Sequence, residues 1–539
     1  MDPLSATLSE PTATSALAER LAAIVGADNV TIDEAKRKLH SEDVWSRADD
    51  VVALIVAPAT TEELAEVVQV IGDAGCSAAP RGAGMSYTSA YVPANDRTVS
   101  IDTLRMNRVI EVNRGDMTVT VQAGVSWIQL NEALAKEGLR TPFWGPMSGL
   151  ISTIGGGLSQ LNAMFGASQY GTSSESVVAL TVVTGTGEVI RTGARGQGGE
   201  HPFYRHFGPD LAGIFFGDCG TLGIKAEVTF RLITAPAHED YASFSFPSGE
   251  KLLEAMGEMA RAGISCEMCA FDPGLTEVRM KRMSLLSDVK TLGAVIGKEK
   301  SLGKGLLSAA KVALGGRNFI PKGDYPLHVI AEGRSKDAVA FDMAEARRIA
   351  RQFEGTEIEN SIAKIIRANP FPPLNSMVGP TGEAWIPVHG VCPLSTAPQI
   401  FTEIQKFYAE NAALFTEHEI HTGFLFTAMA SNALIIEPVF FWPTGWRPIH
   451  EQSMEASHVA RLTQRPENPA ATEAVKFLRK GVVEICARYG TGHFQIGRTY
   501  PYRESRDPAF TALLDNLKAH LDPKGLFNPG VLGFPEGRA

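Results

Sequence analysis

Two stretches in the C-terminal half carry side chains able to move a proton or hold an anion. In Ala433-Leu-Ile-Ile-Glu-Pro-Val-Phe-Phe-Trp442, Glu437 interrupts an otherwise apolar run. A carboxylate in such a place is costly unless it is paired or used. In Gly490-Thr-Gly-His-Phe-Gln-Ile-Gly-Arg-Thr-Tyr500, His493 is a proton acceptor near neutral pH, Arg498 can grip a carboxylate through two parallel hydrogen bonds, and Tyr500 follows within reach. Phe440, Phe441, Trp442 and Trp446 have the character of an aromatic pocket wall, although such clusters also pack cores. Glu437, His493, Arg498 and Tyr500 are therefore the catalytic candidates, with a core ion pair or a surface position as the plainer alternative for each.

A second kind of chemistry comes from glycine. Gly145-Pro-Met-Ser-Gly-Leu-Ile-Ser-Thr-Ile-Gly-Gly-Gly-Leu-Ser159 holds Gly155, Gly156 and Gly157 between Thr153 and Ser159, and no charged side chain occurs from Gly145 to Gly171. Upstream lies Pro80-Arg81-Gly82-Ala83-Gly84-Met85-Ser86-Tyr87, and downstream Gly217-Asp-Cys-Gly220-Thr-Leu-Gly223-Ile224. Glycine lets backbone approach a flat or phosphorylated ligand closely and leaves N–H groups free to donate to it. Three such loops in one region predict a pocket for a large cofactor. The pattern is not Gly-x-Gly-x-x-Gly, so a Rossmann site is not expected.

The elements that must position these residues follow from periodicity. Val51 to Pro58 reads as a buried strand. Thr60-Thr-Glu-Glu caps a helix over 61–74 with Leu64, Val67, Val68 and Ile71 on one face, and Ser77 to Pro80 is a strand feeding the first loop. Strands are predicted near 97–102, 108–112, 117–124, 177–183, 189–192 and 222–232, with a helix over 125–138 and a hairpin at Gly185 to Gly187. Thr234-Ala-Pro-Ala-His breaks the pattern and marks a boundary. Helices over 249–261, 336–353 and 400–414 then alternate with short strands such as 326–333. This is an α+β cap or substrate domain.

Composition bounds the rest. A chain of 539 residues with 44% hydrophobic and 20% charged residues is an ordinary folded protein too long for one core. A formal net charge of −10 argues against nucleic acid as a partner. No apolar run is long enough for a membrane span and no secretion signal is evident, so a cytoplasmic setting is expected. From Arg279 to Lys322 ten basic residues face two acids, a bias that fits docking on a membrane surface, on its inner face, or on a partner, or else a solvated insertion. The six cysteines are scattered, and Cys266-Glu-Met-Cys269 lacks the companions of a metal site.

The glycine loops together with Leu521-Asp-Pro-Lys-Gly-Leu-Phe-Asn528-Pro-Gly resemble the vanillyl-alcohol oxidase / p-cresol methylhydroxylase (PCMH-type) flavoproteins, particularly the glycolate oxidase and D-lactate dehydrogenase branch. The resemblance implies a two-part PCMH-type FAD-binding domain with a separate α+β cap. The segments would be an N-terminal extension over 1–44, the FAD domain over 45–236, the cap over 237–460, and a return to the FAD domain over 461–539. It implies that Pro80 to Ser86 cradle the pyrophosphate. Thr153, Gly156, Gly157, Ser159, Gly171 and Thr172 would line the flavin and ribityl chain, with Gly220, Gly223, Ile224 and Asn528 completing the site. The hydroxy-acid branch carries Gly-Thr-Gly-Glu-His-Gly-Ile-Gly where this chain has Gly490-Thr-Gly-His-Phe-Gln-Ile-Gly497, so no metal is expected. The phenol-oxidising branch carries Tyr-Arg where this chain has Phe494-Gln495. Pro80 to Tyr91 holds no histidine for covalent attachment, which leaves His389 of the cap as the alternative to non-covalent FAD. The expected function is oxidation of a hydroxylated small molecule, the proton passing to His493 or Glu437 and the hydride to flavin N5. A 2-hydroxy acid such as D-lactate comes first and a phenolic or aryl alcohol second. A non-redox exchange of the alkyl-glycerone-phosphate synthase type is the third possibility. The electron acceptor is open among quinone, cytochrome and oxygen, and a homo-oligomer is expected.

Overall fold

The structure, a computed structural model, describes residues 10–196, 198–285 and 320–536. Most of the basic stretch from Arg279 to Lys322 lies outside the described residues. Two units share one continuous apolar core that runs from Trp127 and Phe230 in the first to Phe244 and Phe401 in the second.

The first unit is built on two sheets. In the smaller, Leu54–Val56 and Ser77–Arg81 flank Thr98–Asp102 in parallel, and Val30–Thr31 adds an antiparallel edge. Thr60 caps the helix Thr61–Asp73 by accepting from the Glu63 amide, and Leu64, Val67, Val68 and Ile71 bury its inner face. The N-terminal helix Glu10–Val25 packs on that helix through Leu17, Leu21 and Val25, so the extension joins the first unit's core. The larger sheet is antiparallel, in the order Val109–Asn113, Thr118–Gln122, Ile224–Arg231, Val177–Val183, Val189–Arg191. Every residue of Val177–Val183 is buried, which explains its apolar run, interrupted only by Thr181, whose hydroxyl donates to Glu227 at 3.1 Å.

The second unit is an eight-stranded antiparallel sheet rather than a set of βαβ crossovers. Its centre is Tyr325–Gly333, Glu267–Phe271, His421–Met429 and Ala433–Trp442. The helices Gly249–Ala262, Lys336–Gln352 and Ala397–Glu410 cover one face. Helix Pro469–Arg488 packs against the second sheet, and the segment after it meets the first unit where the Gln495 amide donates to Gln160 O at 2.7 Å, the Arg498 amide to Thr88 O at 2.8 Å and the Asn528 amide to Ala78 O at 3.0 Å. All six cysteines are free thiols, and no described helix is long and apolar enough to cross a membrane.

A buried ionic cluster ties the units together. Arg140, from the strand Leu139–Arg140 of the first unit, donates to Glu332 at 2.9 Å. Arg367 reaches the same carboxylate, and it also donates to Glu267 and to Glu239 at 2.9 Å. Burial alone would raise the Glu332 carboxyl, but Arg140 and Arg367 overcome it and hold it below the ordinary range. Its stabilising contribution is therefore complete above the unfolded carboxyl value and is lost as pH falls through the lower folded one. Removing one partner of such a cluster strands buried charge. We expect Glu332→Gln to lose about 3–5 kcal/mol of stability, read as a lower midpoint of denaturant unfolding, with a smaller difference from the parent chain at acid pH.

Candidate active site

A large cavity, of about 1430 Å³, lies between the two units. The glycine loops of the first unit form one side, and the uncovered face of the second sheet forms the other. All of Pro80 to Ser86 lines it, as do Thr153, Gly156, Gly157, Ser159, Gly220, Gly223 and Ile224.

The three loops do different work. In the Pro80 loop the amides of residues 82–86 make no hydrogen bond to a described residue. The carbonyls turn away: Gly84 O accepts from Tyr91 Oη at 2.7 Å, and Ser86 O accepts from the Val44 amide at 3.0 Å. Arg81 is buried here with its Nε and Nη2 unpartnered. Gly84, at φ +76°, is what lets that guanidinium lie against the loop, because a Cβ would stand 2.4 Å from Nη2. Free amides beside an unpaired guanidinium make a nest for a phosphate dianion.

The triple glycine supplies no such donors. Gly155 N–H bonds Ala123 O at 2.7 Å, Gly156 N–H bonds Thr153 Oγ1 at 3.3 Å, and Gly157 N–H bonds Thr153 O at 2.9 Å. Their use is steric. A Cβ at Gly155 would meet Ala123 Cβ at 2.7 Å, and one at Gly157 would meet Asn162 at 2.6 Å. Gly156 alone is exposed, so the helix Ile154–Gln160 turns a smooth surface to the cavity. The loops also touch: a Cβ at Gly82 would land 2.3 Å from Thr153 Oγ1.

Gly171, Thr172 and Asn528 lie outside the cavity lining. Gly171 ends the short helix Ala167–Tyr170 at φ +76°, and Thr172 bonds Ser174. Asn528 stands behind the wall, where its Nδ2 donates to Cys219 O at 2.8 Å and so ties the Gly217 loop to the strand carrying Pro80.

Alternation along a strand sorts the catalytic candidates. In Ala433–Trp442 the cavity receives Glu437, Val439 and Phe441, while Phe440 and Trp442 point the other way. Trp442 spends its indole N–H on Thr472 at 3.0 Å, and Trp446 too lies outside the lining. The aromatic wall is instead Phe441 with Tyr87, Phe271, Trp385 and Phe494. Glu437 makes no hydrogen bond with a described residue, and burial pushes its carboxyl up to about 7 against the pull of Arg279.

His493, Arg498 and Tyr500 are not brought to the cavity. Phe494 and Gln495 face it, so the preceding His493 lies behind them. There its Nδ1 contacts His389 O at 2.7 Å, its ring stacks on Tyr500 at 4.0 Å, and burial presses it down to about 4. Tyr500 Oη accepts from the His389 amide at 2.9 Å. Arg498 is spent on the carbonyls of Ser89, Val92 and Pro529, which leaves no fork for a substrate.

Two lining residues escape sequence reading. Tyr87 follows the first loop, and its hydroxyl accepts from Gln495 Nε2 at 2.8 Å, joining the first unit to the segment after helix Pro469–Arg488. In sequence Arg279 belongs to the basic stretch. Its spacing of four from Leu275, which also lines the cavity, was the available signal.

The chain is similar to known proteins. Residues 52–193 match the family described as FAD binding domain, and residues 235–532 the family described as FAD linked oxidases, C-terminal domain. The mitochondrial D-lactate dehydrogenase (cytochrome) 1 of Saccharomyces cerevisiae is 28% identical over 265 residues, covering 48% of this chain and 44% of that protein. The alkyldihydroxyacetonephosphate synthase of Dictyostelium discoideum is 32% identical over 229 residues, 42% of this chain and 36% of that protein. The match thus spans less than half of either relative's length. The solved structure of p-cresol methylhydroxylase with substrate bound superposes with a TM-score of 0.73 at 14% identity, covering 98% of each chain, a likeness of fold.

The free amides and the orphaned Arg81 fit the diphosphate of FAD. Hydrogen bonds to a charged group contribute about 1.5–3 kcal/mol. Arg81→Met is accordingly expected to weaken FAD binding by roughly 10- to 150-fold, measured by fluorescence titration of flavin-stripped protein. Retention of parental affinity would remove Arg81 from the phosphate site.

Proposed function

The chain belongs to the FAD-linked oxidases, and on that footing we propose that it is an FAD-dependent dehydrogenase oxidising the alcohol carbon of a 2-hydroxy acid. The observation that supports this most is Glu437. It is a carboxylate on the cavity wall, free of hydrogen bonds to described residues, and pushed by burial up to about 7. A base works best when its pKa lies near the operating pH.

Bound FAD supplies the two-electron acceptor for the hydride leaving the alcohol carbon. Glu437 takes the hydroxyl proton as the carbon–oxygen double bond forms. Trp385, Phe441 and Phe494 line the same space and keep water from the reacting carbon. The electrons then leave to an acceptor outside the chain, a quinone, a cytochrome or oxygen. A hydroxylated aromatic is the second reading, supported by these rings and by Tyr87.

Non-covalent attachment of FAD is supported by the surroundings of His389. Phe494 stacks on its ring at 3.7 Å and stands between it and the cavity. Acid precipitation should therefore leave the flavin in the supernatant. Yellow protein in the pellet would show a covalent bond.

Anaerobic mixing with 2-hydroxy acids and aryl alcohols tests the reaction itself, because a true donor bleaches the flavin band. No bleaching by any donor would favour a non-redox exchange. Glu437→Gln should retain FAD and lose about 10²–10⁴-fold in kcat/KM. The base acts only when deprotonated, so the parent's kcat/KM should rise with pH through about 7 and then level. That limb should be absent from the variant, and its persistence would assign the proton to another group.

A further inference from the structure

The cavity is larger than the roughly 300–1,000 Å³ of an ordinary ligand site, and part of its wall is not glycine. The helix Ser361–Ala368 turns Ile362, Ile365 and Ile366 into it, all half-buried, while Ala363 and Arg367 on the opposite side are packed away. The spacing of three and four places the isoleucines on one stripe. Leu275, from helix Pro273–Leu285, lines the same cavity. Apolar surface facing an open cavity is unfavourable until a ligand covers it.

Arg279 shares that space. Its guanidinium lies 3.9 Å over the Phe271 ring and makes no hydrogen bond or ion pair with a described residue. Burial disfavours its charge, and its acidic neighbour Glu437 is itself pushed toward the neutral form. The other titratable groups beside it, His328 and Cys269, are buried and hold no negative charge at neutral pH. A half-buried cation with no anion against it gains from a ligand that supplies one. Arg in particular suits a carboxylate, which accepts both arms of its fork.

We infer that the substrate is an amphipathic 2-hydroxy acid whose carboxylate is held by Arg279, whose hydroxyl meets Glu437, and whose bulky apolar substituent covers the isoleucine face at Ile362, Ile365 and Ile366. The inference rests on the hydroxy-acid reading and narrows it away from acids the size of lactate, which would leave the isoleucines uncovered.

The test is binding, not turnover. Holoenzyme is titrated with straight-chain carboxylates from acetate to decanoate, which lack the hydroxyl, and with decanamide, following the perturbation of the flavin spectrum. Affinity should rise about fourfold per added methylene over several carbons, and decanoate should bind at least tenfold tighter than decanamide. Arg279→Met should erase the preference for acid over amide, Arg279→Lys should keep part of it, and Ile362→Ser with Ile366→Ser should flatten the chain-length slope. The parent series alone is decisive if a variant fails to fold. Equal affinity across chain length, or an acid preference that survives Arg279→Met, would overturn the inference. Flavin bleaching separates it from the reading beneath. If lactate bleaches as fast as 2-hydroxydecanoate and the series is flat, oxidation stands and the inference falls. If the series is steep but no hydroxy acid bleaches, the amphipathic acid site stands and the oxidation falls.

Discussion

The cavity has one wall from each unit, so it exists only while the units are held in register. Arg140 meets Glu332 across the joint, and Arg367 grips the same carboxylate from the second unit. Both guanidinium groups lie over the Trp144 ring, 5.4 Å and 5.0 Å from its centroid. A buried cluster of this kind adds little net stability compared with apolar side chains of the same volume. Its value is geometric, because charges with fixed partners tolerate only one alignment. The apolar part of the joint is equally exacting. Phe371 presses on Gly145 and Gly149, where a Cβ would come within 2.7 and 2.4 Å of its ring. These two glycines of the 145–159 stretch serve the second unit rather than a ligand.

That distinction runs through all the glycine loops. Glycine enters a sequence either because backbone donors must be reached or because nothing larger than hydrogen fits, and composition cannot tell the two apart. Here the free donors are in the Pro80 loop, and the most conspicuous run, Gly155 to Gly157, has spent its amides within the fold. The flat wall and the anion nest are thus made by different loops that touch at Gly82 and Thr153. The two surfaces suit different parts of a dinucleotide.

Much of this was legible in the chain. Val177–Val183 matches its apolar run residue for residue, the helix at Thr61 begins at its cap, and Glu437 stands out as a carboxylate in an apolar strand. What was hidden is direction. Neighbouring residues on extended chain face opposite ways, so a cluster such as Phe440 to Trp442 splits between cavity and core, and Phe494 takes the cavity from His493. Arg498 has the right chemistry for a substrate clamp, but three carbonyls distant in sequence use it first. Arg279 has the reverse history: surrounded in sequence by surface-like charges, it is turned inward by a helix packed against His421–Met429.

Glu437 and Arg279 make sense only together. With a guanidinium in direct contact, a carboxylate is locked in its charged form and its pKa falls well below neutrality, which leaves a poor base. With no cation nearby, burial alone raises it further, and it stays protonated at the pH where it is needed. In this cavity Arg279 stands beyond ion-pair contact yet near enough to pull against burial, and the carboxyl comes to rest at about 7. The same separation leaves the guanidinium free for a second anion. A ligand carboxylate that takes it would weaken Arg279's hold on Glu437 and raise the proton affinity of the base once the acid is bound. Occupancy of one charge would thereby bear on the other by electrostatics alone: the acid must meet Glu437 already ionised, and the carboxyl then holds the proton it takes more firmly.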